Sequence, residues 1–199
     1  QKRDHLQLLK HGDPNGKFWV PAMADAPLRG ANGRHEWFWE PGDENAVYPL
    51  EDLIDMYYKS VGRNATLILG LTPDPQGLMP KGDVKRLEEF GQRVKELTEN
   101  PVKSVSGAGS RINLKLDKRQ IVNQVIIQED IRQGERIRKY KVEGLTSNGW
   151  KTLCEGESVG HKRIQTFDPV EVRQLRLVVE KNIDVPQIRN FSVYNVERR

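Results

Sequence analysis

The chain has 199 residues and a formal net charge of +4, with 36% hydrophobic and 30% charged residues. This length suffices for one or two domains. No apolar run reaches the roughly 20 residues of a membrane-spanning helix. The single cysteine, Cys154, excludes an internal disulfide and a cysteine-based zinc site. Because the first residue is Gln1 and no leader follows it, we expect the start of the chain to be processed or truncated.

The two halves of the chain differ in charge and in pattern. Residues 1–100 carry 13 Lys and Arg against 16 Asp and Glu, whereas residues 101–199 carry 19 against 12. Helical periodicity occurs only in the first half, and the alternation typical of strands dominates the second. Asn100-Pro101, followed by the Ser/Gly-rich stretch Ser104–Ser110, therefore predicts a domain boundary between residues 1–100 and 101–199.

The first half has the pattern of an α/β fold. Apolar residues recur at helical spacing in Pro49–Val61 and again in Asp83–Thr98, and Ala65–Leu71 between them is nearly all apolar. These patterns predict two helices around a strand that is buried on both faces, which is the unit of a parallel sheet. A (β/α)8 barrel takes roughly 250 residues. We therefore expect residues 1–100 to be the terminal portion of such a barrel in a longer chain.

The second half is predicted to be all β. Asn148-Gly149 is its strongest hairpin signal. Seven strands at this spacing predict a β-sandwich or jelly roll. The predicted strands are Arg111–Leu116, Val122–Glu129, Ile137–Leu145, Trp150–Glu155, His161–Phe167, Gln174–Glu180 and Gln187–Val196.

Residues 19–44 form the segment with the most informative side chains. Three tryptophans, a phenylalanine and several acids lie between turn residues, which is typical of binding loops on a rigid sheet. In an extended backbone Trp37 and Trp39 face one side and Phe38 the other. The two indoles would then pack against the C–H face of a sugar ring, with Phe38 in the core. Core packing of all three rings explains the pattern equally well.

The polar residues of this segment are candidates for glycoside chemistry, which needs two carboxyl groups flanking the scissile bond. Spacing in the sequence does not establish the separation of the carboxyl groups. A structural ion pair is the simpler explanation for Asp25 and Arg29, and solvation is the simpler one for the other acids. The candidates are Asp25, Glu36, Glu40, Asp43 and Glu44, with the cation Arg29.

Other ligand classes have weak signals. The four histidines show no metal-binding spacing, and the sequence has no P-loop, dinucleotide motif or nucleophile elbow, so we expect no metal or cofactor. The positive charge of the second half is spread out, and its densest stretch, Arg132–Lys141, lacks an interleaved row of aromatic residues. A solvated strand face therefore explains it better than a nucleic-acid partner does.

Several short motifs occur in a fixed order along the chain. In residues 17–98 they are Trp19–Ala22, Asp25, Leu28-Arg29, Trp37–Trp39, Tyr57–Asn64, Leu67–Leu69, Pro73 and Gly77-Leu78, and in the second half they are Gly134–Ile137, Gly149-Trp150 and Gly160–Ile164. The first set resembles the later part of the catalytic domain of the α-L-fucosidases of glycoside hydrolase family 29. The likeness is greatest to the branch that acts on linked fucose in branched glycans, found in plants and gut bacteria. The second half is similar to the β-sandwich that follows the barrel, which is of the discoidin-like, galactose-binding-like type.

This resemblance implies a retaining hydrolase of terminal α-L-fucosyl linkages. An Asp nucleophile and a Glu acid/base would lie on earlier barrel strands, in motifs that this sequence lacks, so no residue here is given a catalytic role and the chain alone is expected to be inactive. Trp37 and Trp39 match the aromatic segment that closes the fucose pocket, and Asp25 and Arg29 match polar positions nearby. Met23 departs from the family, because plant-type relatives often have Glu there.

The resemblance also implies partners and a location. The expected partners are a fucosylated oligosaccharide or glycoconjugate and an upstream catalytic segment of the same protein, in a secreted or periplasmic enzyme. The β-sandwich is expected to buttress the barrel rather than to bind sugar. The alternative is a non-catalytic carbohydrate-binding protein that uses the sandwich or the tryptophan site.

Overall fold

The computed structural model describes residues 17, 22–30, 37–42 and 46–197, and the structural statements below concern this part of the chain. It contains a small parallel sheet with two α-helices and a larger antiparallel sheet. In chain order the elements are β1 (Ala22–Pro27), α1 (Leu50–Lys59), β2 (Ala65–Gly70), α2 (Lys81–Thr98), β3 (Lys103–Ala108), β4 (Arg111–Glu129), a 3-10 turn (Ile131–Gln133), β5 (Ile137–Thr146), β6 (Gly149–Gly156), β7 (Arg163–Asn182) and β8 (Gln187–Tyr194).

The parallel sheet consists of β1 and β2, which pair in register from Ala22 opposite Ala65 to Pro27 opposite Gly70. Helix α1 lies between them in the sequence, so the three elements form a β-α-β unit and α2 follows as the next helix. The predicted α/β pattern of the first half is confirmed at this level. The structure adds β1 to it.

Strand β2 is not buried on both faces, as the all-apolar run predicts. Ile68 is 40% exposed and Thr66 is exposed, whereas the alternate residues Leu67 and Leu69 are both half-buried. The prediction is wrong for the described residues because no layer of them covers the face that carries Ile68. The same face continues on β1 through Asp25, which lies directly opposite Ile68.

The antiparallel sheet has six strands in the order β3-β8-β4-β7-β5-β6. The second half is therefore mostly β, as predicted, but the predicted seven strands are wrong in number. Strands β4 and β7 run continuously for 19 and 20 residues, and each joins two of the predicted segments. Their pairing changes register between Lys115 and Gln120. Each strand therefore continues through the stretch where apolar and polar residues stop alternating, instead of ending there. Strand β3 occupies the stretch predicted as a linker, where it pairs with the edge of β8.

The main core belongs to the antiparallel sheet. Its centre is fully buried and apolar, and the half-buried Cys154 packs against it. Burial raises the pKa of the Cys154 thiol to about 12, so this residue acts as a small apolar side chain rather than as a nucleophile. The core includes Leu114, Val125, Ile127, Ile137, Tyr140, Val142, Leu175, Leu177, Phe191 and Val193.

A second apolar cluster joins the helices to the sheet. Tyr57 of α1 and Leu97 of α2 pack with side chains of β4, β7 and β8 and with Val196 beyond them. The sheet residues of this cluster are Ile126, Ile164 and Tyr194. Because apolar burial stabilises by about 25 cal/mol per Å², this contact couples the two parts of the chain.

Hydrogen bonds reinforce this joint at several points. The side chain of Gln124 accepts from the Tyr58 hydroxyl and donates to the Leu97 carbonyl at 2.7 Å. The backbone N–H of Ile164 donates to the Gly62 carbonyl at 2.9 Å. These contacts join α1, α2 and the loop before β2 to the antiparallel sheet, and the buttressing of a barrel by this sheet stays a prediction. Within the described residues, neither helix is both long and apolar enough to span a lipid bilayer.

Candidate functional site

The carboxyl ends of β1 and β2 carry the indole ring of Trp37. A Cβ atom placed on Gly70 would lie 2.8 Å from Cζ3 and 3.1 Å from Cε3 of that ring, and 3.7 Å from Cα of Pro27. The ring therefore lies on backbone at the end of β2, where any side chain would displace it. Trp37 remains 45% exposed, so one part of the ring is packed and another faces solvent.

The exposed face of the small sheet leads to this tryptophan. Asp25 and Ile68 are paired across β1 and β2 and both are exposed, two residues before the Pro27–Gly70 pair. Alternate residues of a strand share a face, so Asp25, Ile68 and Gly70 lie on one side. The structure thus places an exposed carboxylate and a half-exposed indole on the same face, toward the carboxyl ends of parallel strands.

The neighbours of Trp37 are exposed to different extents. Phe38 is 83% exposed, so its predicted place in the core is wrong for this part of the chain. Trp39 is partly buried and Glu40 is exposed. The segment does not form a strand, so the alternation of an extended backbone does not decide which ring is buried.

Arg29 has a different environment. It is 1% exposed, and its guanidinium forms two hydrogen bonds with the carboxylate of Asp83 in the first turn of α2, Nη2 to Oδ1 at 2.6 Å and Nε to Oδ2 at 3.3 Å. Asp83 is fully buried. The ion pair expected as an alternative therefore exists, but it joins Arg29 to Asp83 and not to Asp25. The predicted contact of Arg29 with substrate stays a prediction.

Two contacts of this region were not predicted from the sequence. An isolated Gly at the end of a strand is a known signal for close approach of another group, and Gly70 carries that signal. For Asp83 no signal existed, because an acid in the first turn of a helix is expected from the helix dipole alone. The remaining candidates Trp19, Glu36, Asp43 and Glu44 lie outside the described residues.

The antiparallel sheet carries its own aromatic position at the start of β6. The guanidinium carbon of Arg176 lies 3.9 Å from the centre of the Trp150 ring, and Nε of Arg176 contacts Oε2 of Glu143 at 2.5 Å. The hydrogen bond from Arg176 lowers the pKa of the Glu143 carboxyl. The guanidinium of Arg176 covers one face of this indole, so the three side chains form a structural contact on the sheet surface. Trp150 therefore offers less aromatic area to a sugar than Trp37 does.

Chemically, the arrangement at the small sheet fits a sugar site. An indole presents an apolar face, and a carboxylate accepts hydrogen bonds from hydroxyl groups. In barrel enzymes the active site is formed at the carboxyl ends of the parallel strands. Among the residues that the structure describes, no three His, Cys, Asp or Glu side chains converge as metal ligands would.

Comparison with known proteins identifies relatives of this chain, although no protein-family model matches it. Alpha-L-fucosidase 1 of Arabidopsis thaliana is 31% identical over 222 residues, which cover 93% of this chain and 42% of that protein. The crystal structure of a "putative alpha-L-fucosidase" from Bacteroides thetaiotaomicron is 60% identical with a TM-score of 0.95, over 98% of this chain and 45% of that one.

A third relative is a solved structure with a sugar bound. The GH29 fucosidase of Ruminococcus gnavus in complex with fucose has a TM-score of 0.81 at 27% identity, over 94% of this chain and 43% of that one. The chain thus spans less than half the length of each of these three relatives. The matches confirm the resemblance seen in the ordered motifs: over nearly its whole length, the chain is similar to part of α-L-fucosidases, including a fucosidase of glycoside hydrolase family 29.

Proposed function

We propose that this chain is part of a retaining α-L-fucosidase, as the terminal portion of its (β/α)8 barrel and the galactose-binding-like β-sandwich that follows. The observation that carries the proposal is the indole of Trp37 on the carboxyl ends of two parallel strands, in a chain 60% identical to a fucosidase-like structure. The exposed face of β1 and β2 supports a barrel in which further strands cover it. No observation favours the alternative of a non-catalytic carbohydrate-binding protein.

The sugar would lie against Trp37, with Asp25 on the same face of the sheet. The C–H face of a fucose ring, with its methyl group, is apolar and packs on an indole, and its hydroxyls bind carboxylates. Trp39 would contribute at the edge of the pocket, whereas Arg29 is buried and held by Asp83. A sugar bound to the GH29 relative of known structure is fucose, which supports this ligand class.

The chemistry would follow the two-carboxyl scheme of retaining glycosidases. One carboxylate attacks the anomeric carbon and forms a glycosyl-enzyme, while the other protonates the leaving oxygen and then activates water. Such groups are about 5–5.5 Å apart. We assign neither role to a described residue, and propose that an upstream segment of the same protein, which would be secreted or periplasmic, supplies both.

The test compares the complete protein with the 199 residues alone, on a fucoside with a chromogenic leaving group. The complete protein is expected to release fucose, and NMR of the first-formed anomer is expected to show retention. The 199 residues alone should give no turnover. Turnover by the 199 residues would contradict the placement of the acids, and the inverted anomer would contradict the mechanism.

A variant pair in the complete protein tests the proposed pocket. Trp37→Ala should lower kcat/KM by about tenfold or more. Stacking of a nucleic-acid base on an aromatic side chain contributes about 1–3 kcal/mol, and we expect a similar contribution from a sugar ring packed on the indole. Trp150→Phe is the matched control, since its ring lies on the antiparallel sheet under Arg176. Equal effects of the two variants would show that Trp37 has no special place in the site.

A further inference from the structure

The antiparallel sheet has a group of cations at the end where it meets the loop before β2. The helix-covered face of the sheet includes Ile126 of β4 and Ile164 of β7, which pair directly. Gln128 lies two residues further along β4 on the same face, and Lys162 immediately precedes β7. On β8 this face carries Asn190, which pairs with Gln128. The apolar face thus ends in a row of polar side chains.

Hydrogen bonds hold the amides of this row in place. Asn190 donates to Oε1 of Gln128 at 3.3 Å and to the hydroxyl of Ser192 at 2.9 Å. Gln128 in turn donates to the carbonyl of His161 at 3.1 Å. The side-chain amides of Gln128 and Asn190 therefore form a fixed platform beside Lys162. Little of their side-chain conformational entropy would be lost when a ligand binds.

A break in strand pairing brings a further cation to this platform. Gln128 pairs with Asn190, but the next residue, Glu129, pairs with Ile188, so Arg189 has no partner across the ladder. Such a bulge redirects a side chain. Gln128 links the two strands here, because it donates to the His161 carbonyl and accepts from Asn190, the residue after Arg189. This contact places Arg189 near His161 and Lys162, and the electrostatic effect of Arg189 on both side chains agrees with it.

The charges near this group do not neutralise it. Asp130 interacts electrostatically with Arg189, but its ion pair is with Arg132, whose Nε donates to Oδ1 at 2.8 Å. The carboxylate of Glu129 accepts three backbone N–H groups. Within the described chain, neither Lys162 nor Arg189 forms an ion pair, whereas other cations of this sheet do.

Electrostatics agree with the geometry. Burial, followed by the nearby Arg189 guanidinium, lowers the pKa of the Lys162 ammonium. The same two causes, with Lys162, lower the pKa of the His161 imidazole. Like charges that converge repel each other, and an anion between them would relieve the repulsion.

We propose that Lys162, Arg189 and His161 form a binding site for a sulfate or phosphate group, free or as an ester. Lys162 is a compact positive charge and Arg189 a planar fork of donors, and a tetrahedral oxyanion has several acceptor oxygens to receive them. The site lies at the amino end of β2, since the N–H of His161 donates to the side chain of Asn64 at 2.6 Å. Trp37 lies at the other end of β2, roughly 17 Å away along a six-residue strand. The proposal therefore does not depend on the fucosidase activity.

The experiment titrates the 199-residue chain by calorimetry at constant ionic strength. The probes are inorganic sulfate, inorganic phosphate, galactose 6-sulfate and galactose. The proposal expects saturable binding of one equivalent of sulfate or phosphate. Tighter binding of galactose 6-sulfate than of inorganic sulfate would identify an ester as the ligand, and the reverse order a free anion. No saturable binding of any of the three anions would overturn the proposal, as would equal binding of galactose and galactose 6-sulfate.

Variants separate this site from general attraction between anions and a basic chain. Lys162→Gln and Arg189→Gln should each weaken sulfate binding by about tenfold or more, which is typical of losing a charge-assisted hydrogen bond. Lys118→Gln removes the same charge from an exposed position of β4 and is the matched control, expected to bind as the unchanged chain does. Equal weakening by all three variants, or unchanged affinity in the first two, would overturn the proposal.

Discussion

The absence of a side chain at Gly70 determines where the candidate sugar-binding residue Trp37 lies. The indole of Trp37 occupies the space that a Cβ of Gly70 would need. We expect Gly70→Ala to displace the ring, because the contact of 2.8 Å is shorter than a carbon–carbon contact permits. The exposure of Trp37 should then rise, with a red shift of its fluorescence in a variant whose other tryptophans are phenylalanine.

Gly91→Ala provides the control for the Gly70 prediction. A Cβ at Gly91, inside α2, would have no atom within 4 Å. Since Ala is better than Gly in a helix interior by about 1 kcal/mol, this variant should be stabilised and should leave the Trp37 emission unchanged. An unshifted emission in Gly70→Ala would show that the ring does not depend on Gly70.

The ion pair of Arg29 and Asp83 is a second feature at the scale of residues. Both side chains are buried, so removing one charge breaks their ion pair in a low dielectric. We expect Asp83→Asn to lower the free energy of unfolding by about 3–5 kcal/mol. The double variant Arg29→Met, Asp83→Leu should recover most of that loss, as measured by urea unfolding. Additive losses would show that the two side chains do not act as a pair.

At the scale of elements, Glu129 ties two connections of the antiparallel sheet together. Its Oε1 accepts the N–H groups of Arg136 and Ile137 at 2.9 and 3.1 Å, and its Oε2 accepts that of Gly160 at 2.9 Å. Burial raises the pKa of this carboxyl, against the opposing effect of these N–H groups. In the folded state the group therefore binds its proton more strongly than in the unfolded state.

The sign of the pH effect follows from this pKa. Between the unfolded value of about 4.5 and the raised folded value the native state holds more protons, so stability from this group falls as pH rises through that window. Glu129→Gln cannot titrate. The free energy of unfolding of the unchanged chain, minus that of Glu129→Gln, should therefore decrease from pH 4 upward. A difference that increases with pH would contradict the raised pKa.

The elements of this chain were predictable to different degrees. Both helices and β2 follow from apolar spacing, and their bounds differ from the prediction by at most two residues. The long strands β4 and β7 were each predicted as two, because the polar run at residues 117–120 and the proline at 169 interrupt the alternation. Backbone pairing continues across both interruptions with a shift of register, and no side-chain pattern records that.

The candidate site shows the same division between local and long-range information. Trp37 and Asp25 were chosen by residue type and by family motifs. The structure places both on one face of the small parallel sheet, toward the carboxyl ends of β1 and β2. That Arg29 pairs with a residue 54 positions away depends on how α2 packs. Likewise the bulge that directs Arg189 toward Lys162 arises from pairing between strands that are distant in sequence. Sequence patterns describe a residue's own element, and these contacts join different ones.

At the scale of the whole molecule, the parts on either side of the boundary predicted near residue 100 share an apolar cluster, so we do not expect them to be independent units of stability. Leu97 of α2 is 2% exposed and belongs to one apolar cluster with Tyr57 and with Ile126, Ile164 and Tyr194 of the sheet. The hydroxyl of Tyr194 also donates to the carbonyl of Thr98 at 2.9 Å. If either part unfolded alone, the other would expose this apolar cluster to water, at a cost that scales with the exposed area.

Residues 46–197 should therefore unfold as one cooperative unit. Native-state hydrogen exchange is the appropriate measurement, because it reports the opening free energy of each amide. The slowest amides of α2, around Val94, and of β4, around Val125, should exchange with the same free energy and the same dependence on denaturant. Leu97→Ala, which removes about 2–5 kcal/mol of packing, should lower both values equally. A lower value for α2 alone would show that the helices open without the sheet, and that the sheet does not buttress them.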